Sequence, residues 1–181
     1  MIYASDETEK KAILHVAELM LAAARTAPKA CGIDELETMI LDGTDKDSLT
    51  ETMREMAAIS SGRMSESFAR DAGNLDNSPY LVLLGIRTVP RALDCGLCGV
   101  PKCSEAAEQG VCCAMAAGDL GIAVGSAAAT AMDHRIDNRI FFTAGIAALK
   151  KKLFSDKVTV CFGIGLSATG KNIFFDRPKT S

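Results

Sequence analysis

Hydrophobic and polar positions change period several times along this chain, and each change marks an element. In residues 6–25, Ile13, Val16, Ala17, Met20 and Ala24 recur at helical spacing on one face, Asp6 and Glu9 stand ahead of them at capping-box spacing, and Pro28 closes the segment. This pattern predicts an amphipathic helix. Residues 35–43 alternate instead, with Leu36, Thr38 and Ile40 on one side, Glu37 and Met39 on the other, and Asp42 and Gly43 as a turn, which predicts a strand. Ser48 and Glu51 repeat the capping-box spacing before Leu49, Met53, Met56 and Ala57, and "RMSESFARDAG" after Gly62 predicts a further short helix. The methionines in this region are expected to fill the core.

"PYLVLLGI", residues 79–86, is a continuous apolar run bounded by proline and glycine, the pattern of a strand buried on both faces. Residues 111–132 are rich in alanine and glycine and carry one charge, Asp119. The stretch is long enough to cross a bilayer, but it is poor in large aliphatic residues and has an aspartate near its middle, so a buried helix is expected and no membrane contact. A polar turn, "DHRIDNR", then a helical stretch ending in "AALKKKLF" and a strand "KVTVCFGIGL" complete the pattern. Strands and helices alternate throughout, predicting a single α/β (α+β) domain over residues 1–181 built on one central sheet. Gly118, Gly121 and Gly125 fall on one face of the apolar helix, where each costs about 1 kcal/mol relative to alanine. Something is therefore expected to approach that face closely: another helix, a second copy of the chain, or a flat cofactor.

Composition narrows the class. The 181 residues are 48% hydrophobic with a net charge of −3, which gives no basic face for nucleic acid. The opening "MIYASDETEKK" has no secretory pattern, so a cytoplasmic protein is expected. Seven cysteines are many for that compartment, and their clustering points to metal or redox chemistry rather than to disulfides. Cys95, Cys98 and Cys103 are spaced C-x2-C-x4-C within "DCGLCGVPKC", and Cys112 and Cys113 follow after eight or nine residues. Gly96 and Gly99 permit the backbone angles that turn sulfurs and amides inward, and Pro101 stiffens the loop. Three cysteines in one loop with a fourth further on suit an iron-sulfur cluster of the four-iron type, with a structural four-cysteine zinc site as the alternative. Cys113 projects about 110° from the mean direction of the glycine stripe and Cys112 about 150°, which favours Cys113 as the fourth ligand. Cys31 and Cys161 are expected to be buried free thiols.

"DCGLCGVPKC" resembles the cluster-binding loops of small iron-sulfur domains in corrinoid and electron-transfer proteins of anaerobes. Over nearly the whole chain, "AARTAPKACGIDELE", "CGLCGVPKC", "DLGIAVGSAAATAMDHRIDNRI" and "FGIGLSATGKNIFFDR" resemble the uncharacterised family of ferredoxin-domain proteins. The layout also resembles the FMN-dependent nitroreductase fold, in which a central mixed sheet is flanked by helices and intertwined homodimers hold FMN at their seam. The resemblances imply an iron-sulfur electron-transfer protein or flavin-linked reductase, homodimeric, with FMN as a second cofactor. The chain departs from that fold's pattern in two places: no arginine-rich segment precedes residue 12, and Lys29 follows the proline where a small serine would stand. Arg25, Lys29, Lys171 and Arg177 are the cations such a phosphate would meet.

Two other stretches carry less. "GLSATGKN" matches a phosphate loop except that Asn172 replaces the magnesium-binding hydroxyl, and too few residues follow for the helix that loop needs, so ATP is not an expected ligand. "MDHRIDNR" gathers His134 among acids and arginines, making it a candidate proton donor, whereas His15 on the first helix is expected to be partly exposed and silent. No Ser-His-Asp set or H-E-x-x-H pair supports hydrolysis.

Overall fold

A computed structural model describes residues 1–175. Helix α1, Ser5–Thr26, leads through a single tight turn at Ala30–Gly32 into strand β1, Leu36–Asp42. Helices α2, Gly43–Ile59, and α3, Gly62–Asp76, then precede β2, Tyr80–Arg87. The cysteine loop and the short helix α4, Cys103–Glu108, connect β2 to α5, Ala114–Asp133. Strand β3, Asp137–Phe141, helix α6, Phe142–Lys150, and β4, Val158–Ser167, follow.

The four strands form one sheet in the order β1-β2-β4-β3. All three pairings are antiparallel among the described residues, in place of the expected mixed sheet. Side chains alternate across the sheet, so β2 sends Val82, Leu84 and Ile86 into a core shared with α1 and α5, and Leu81 and Leu83 into a second core shared with α2, α3 and α6. The result is a three-layer arrangement with β2 buried on both faces, as its unbroken apolar run predicts. On the second face β4 carries Gly163 and Gly165. A Cβ at Gly163 would stand 2.8 Å from the Ala144 methyl, and one at Gly165 2.8 Å from Leu75 Cδ2, so these glycines let the helices close onto the strand. Gly165, the first residue of the phosphate-loop-like stretch, thus has a packing role within a strand.

Several local expectations change. Helix α1 begins one residue earlier than Asp6, and no side chain caps it. Ser48 lies inside α2, which begins at Gly43, and its hydroxyl accepts a hydrogen bond from Lys151. Residues 137–139, expected as the end of a polar turn, instead belong to an edge strand, 137–141, paired with β4. The apolar helix α5 is not buried all round. Ala116, Asp119, Leu120, Ala123, Val124, Ala127 and Ala131 face the core, while the opposite face, with Gly118, Gly121, Ile122, Gly125 and Met132, is exposed. A Cβ at any of the three stripe glycines would meet nothing within 4 Å, so the close neighbour expected there does not come from the described residues of this chain.

Candidate functional site

The cysteine loop leaves the end of β2 and returns at α4, and its two ends are clasped reciprocally. The Cys103 backbone N–H donates to Asp94 Oδ1 at 2.7 Å, and the Asp94 N–H donates to Cys103 Sγ at 3.4 Å. This clasp ties Asp94, the residue before Cys95, to Cys103 at the start of α4. At the tip, the Gly99 N–H donates to the Gly96 carbonyl at 2.9 Å, forming a tight turn with Cys98 inside it. Gly96 and Gly99 have φ of 70° and 85°, the left-handed region in which glycine carries no Cβ penalty, as expected for this loop. Cys95 is exposed, and Cys98 and Cys103 are half-buried.

Cys113 lies at the cap position of α5 and is buried. Burial pushes its thiol up, but the backbone N–H groups of Ala116, Arg91 and Met115, together with the Arg91 charge, outweigh it and hold the group below its ordinary value. These N–H groups face the sulfur without closing a conventional cap hydrogen bond. Cys112, by contrast, is exposed, and its thiol donates to the Cys113 carbonyl.

Behind Cys113 is a buried ion pair that the sequence patterns did not reveal. Arg91 Nη2 and Asp119 Oδ2 are 3.1 Å apart, and the two side chains are 1% and 5% exposed. Asp119 Oδ1 accepts the Ala30 N–H at 2.8 Å, which ties α5 to the turn after α1. Arg91 Nε and Nη1 are buried with no hydrogen-bond partner among the described residues. These atoms carry three of the five guanidinium N–H groups, and each unsatisfied buried donor costs about 1–3 kcal/mol. With its backbone facing Cys113 and its head bonded to Asp119, Arg91 spans the first turns of α5. The lone charge in the apolar stretch was the available signal for this pair.

The remaining predicted residues lie elsewhere or are already engaged. Lys29 Nζ donates to the carbonyls of Ala24, Arg25 and Ala27, using all three of its N–H groups to close the end of α1. Arg25 Nη1 bonds Asp34 and the Leu36 carbonyl. Asp34 is pushed up by its partial burial, but Arg25, the Leu36 N–H and the Lys29 charge bring it below the usual carboxylate value. Lys171 follows the end of β4, where its carbonyl accepts the Thr169 hydroxyl; Arg177 lies outside the described residues. His134 is exposed at the far end of α5, roughly 30 Å from Cys113 at about 1.5 Å per helical residue. The structure therefore does not bring His134 to the cysteine loop. His15 is exposed, as expected, with Glu18 beside it. Cys161 is buried on β4, and burial pushes its thiol up to about 12. Cys31 corrects the expectation of a buried thiol: it is exposed, at φ 57° in the turn that Asp119 holds through Ala30.

Residues 109–177 match the family model described as uncharacterized protein containing a ferredoxin domain. An uncharacterized protein of Archaeoglobus fulgidus is 35% identical over 98% of both chains. The chain belongs to this ferredoxin-domain family. The segment matched by the family model includes Cys112 and Cys113 and begins after the loop that carries Cys95, Cys98 and Cys103. In architecture the ferredoxin-domain chain is nitroreductase-like. An FMN-bound nitroreductase of Bacteroides fragilis superposes over all of this chain and 84% of its own, with a TM-score of 0.58 at 16% identity. An FMN-bound nitroreductase of Desulfitobacterium hafniense matches 94% of this chain and 81% of its own, with a TM-score of 0.58 at 14% identity. The FMN-dependent nitroreductase of Mycobacterium smegmatis, solved with NADPH, matches 89% of this chain and 81% of its own, with a TM-score of 0.57 at 13% identity.

The donor set suits a soft metal or an iron-sulfur cluster, since every candidate ligand is a free thiol. The clasped loop and the N–H groups around Cys113 supply the setting in which thiolates are stabilised. The four sulfurs do not themselves stand as a ligating group among the described residues. A cluster would therefore draw the loop sulfurs together as it binds, which the glycines at 96 and 99 permit.

Proposed function

We propose that the protein is an iron-sulfur redox protein, serving electron transfer or a flavin-linked reduction, with Cys95, Cys98, Cys103 and Cys113 as cluster ligands. The observation that carries this reading is the pairing of the clasped cysteine loop with a buried cysteine whose sulfur faces backbone N–H groups and a buried arginine. Membership of a ferredoxin-domain family supports it. A bound cluster supplies one-electron chemistry. The chain's part is to hold thiolates, to place a cation beside them, and to cover Cys113 from water.

FMN enters the proposal through the nitroreductase-like fold. Arg25, Lys29, Lys171 and Arg177 are the cations proposed to meet its phosphate; within the chain, Lys29 Nζ already donates to three carbonyls and Arg25 Nη1 to Asp34 and the Leu36 carbonyl, so binding would exchange some of those bonds for the phosphate. We also propose a cytoplasmic homodimer joined through the exposed face of α5, where Gly118, Gly121 and Gly125 allow close approach.

The test is elemental and flavin analysis of protein isolated without oxygen. Iron and inorganic sulfide in equal amounts, bound to the chain, are expected. Zinc at one per chain with no iron would overturn the reading in favour of a structural zinc site. For the dimer, sedimentation of Gly121→Leu should give a folded monomer where the wild type gives a dimer; a monomeric wild type would refute it.

A further inference from the structure

The unexplained feature of this site is Arg91: a buried cation bonded to Asp119 through one nitrogen, with Nε and Nη1 meeting no acceptor. Its backbone N–H faces Cys113, and Asp119 lies six residues further along α5, roughly 9 Å at the helical rise. The guanidinium is thus held against α5 within two turns of the proposed ligand, and away from water. Asp119 fixes it there and offsets part of its charge.

We propose that Arg91 is a positioning residue that sets the reduction potential of the cluster, with Asp119 as its counterweight. The inference rests on the iron-sulfur reading above. Reduction adds one electron, and so one negative charge, to the cluster without making or breaking a bond in the protein. A neighbouring buried cation stabilises the reduced form, and a neighbouring carboxylate destabilises it. At about 9 Å and an effective dielectric near 20, one unit charge shifts the reduction equilibrium on the order of tenfold. For a one-electron couple, tenfold corresponds to about 59 mV.

The two charges make opposite predictions, which separates an electrostatic role from a packing role. Wild type, Arg91→Gln, Arg91→Lys and Asp119→Asn are each loaded with iron and sulfide under anaerobic conditions and titrated with dithionite in a spectroelectrochemical cell. Arg91→Gln should lower the midpoint by about 59 mV, the tenfold shift. Arg91→Lys, which keeps the charge, should stay near wild type, and Asp119→Asn should raise the midpoint. General loosening of the site would move Arg91→Gln and Asp119→Asn in the same direction, and that result overturns the proposal. So does an unchanged midpoint in both. If Arg91→Gln does not retain iron, the rise in Asp119→Asn decides: its presence supports the proposal and its absence overturns it. An iron-free wild type would overturn the iron-sulfur reading and this inference with it, whereas iron-loaded variants with unchanged potentials would overturn only the inference.

Discussion

Replacing Asp119 with alanine should be among the most damaging single changes at this site. The aspartate and Arg91 are 5% and 1% exposed, so the variant leaves a guanidinium buried with no counter-charge. Breaking one side of a buried pair costs about 3–5 kcal/mol, and the Ala30 N–H loses its acceptor as well, a loss of about 1 kcal/mol. For a domain of this size each kcal/mol lowers the melting temperature by about 2–4 °C. The metal-free Asp119→Ala protein should therefore melt about 8–24 °C below wild type. Thermal and urea denaturation in the presence of a chelator measure this directly. A double variant, Arg91→Met with Asp119→Leu, should recover more than half of the loss, because two apolar side chains have no desolvation penalty to offset. An Asp119→Ala protein within about 1 kcal/mol of wild type, or a double variant no more stable than the single one, would refute this role for the buried pair.

Gly145→Ala should prevent folding, since its Cβ would stand 1.8 Å from the Cys161 carbonyl oxygen, while Gly118→Ala, which meets nothing, should fold and gain about 1 kcal/mol in the monomer; expression in soluble form and melting curves separate the two. Alkylation mapped by mass spectrometry should mark the exposed Cys31, Cys95 and Cys112 in native metal-free protein, while Cys161, with its thiol raised to about 12, is labelled only after unfolding. The hydroxyl of Ser155 lowers the Glu37 carboxyl, burial opposes it, and the Ser155 N–H and Arg87 lower it further, to a net value below its ordinary 4.5. Its stabilisation is therefore complete above about pH 4.5 and lost as pH falls through the lower folded value. Glu37→Gln should melt below wild type at pH 7, and the gap should close in acid; a gap independent of pH contradicts the assignment.

Much of this architecture can be seen in the sequence because the signals are local. The unbroken run of β2 demands burial on both faces, and the one-sided stripe of α1 demands a sheet to cover. Strand β3 was hidden because Asp137, Asn138 and Arg139 have no apolar alternation. They form a strand only because β4 offers an unpaired edge, a tertiary cause that no short window contains. The direction of pairing in the sheet was hidden for the same reason. At the site, the loop glycines were readable because positive φ selects glycine locally, whereas the Arg91–Asp119 pair joins residues 28 apart in sequence. Two isolated charges, one beside the cysteine loop and one inside an apolar helix, were the trace it left. Cys31 shows the converse: its exposure follows from how Asp119 holds the turn, not from the residues around it.

The central claim is that the cysteine loop and Cys113 hold a redox-active cluster. Dithionite titration of the anaerobically purified protein, followed by visible absorbance alongside iron and sulfide determination, tests it most directly. The account predicts a coloured protein that takes up one electron per cluster and bleaches, and a Cys113→Ser variant that loses iron while remaining folded. A colourless wild type without iron, or a Cys113→Ser variant with full iron content and unchanged bleaching, would contradict it.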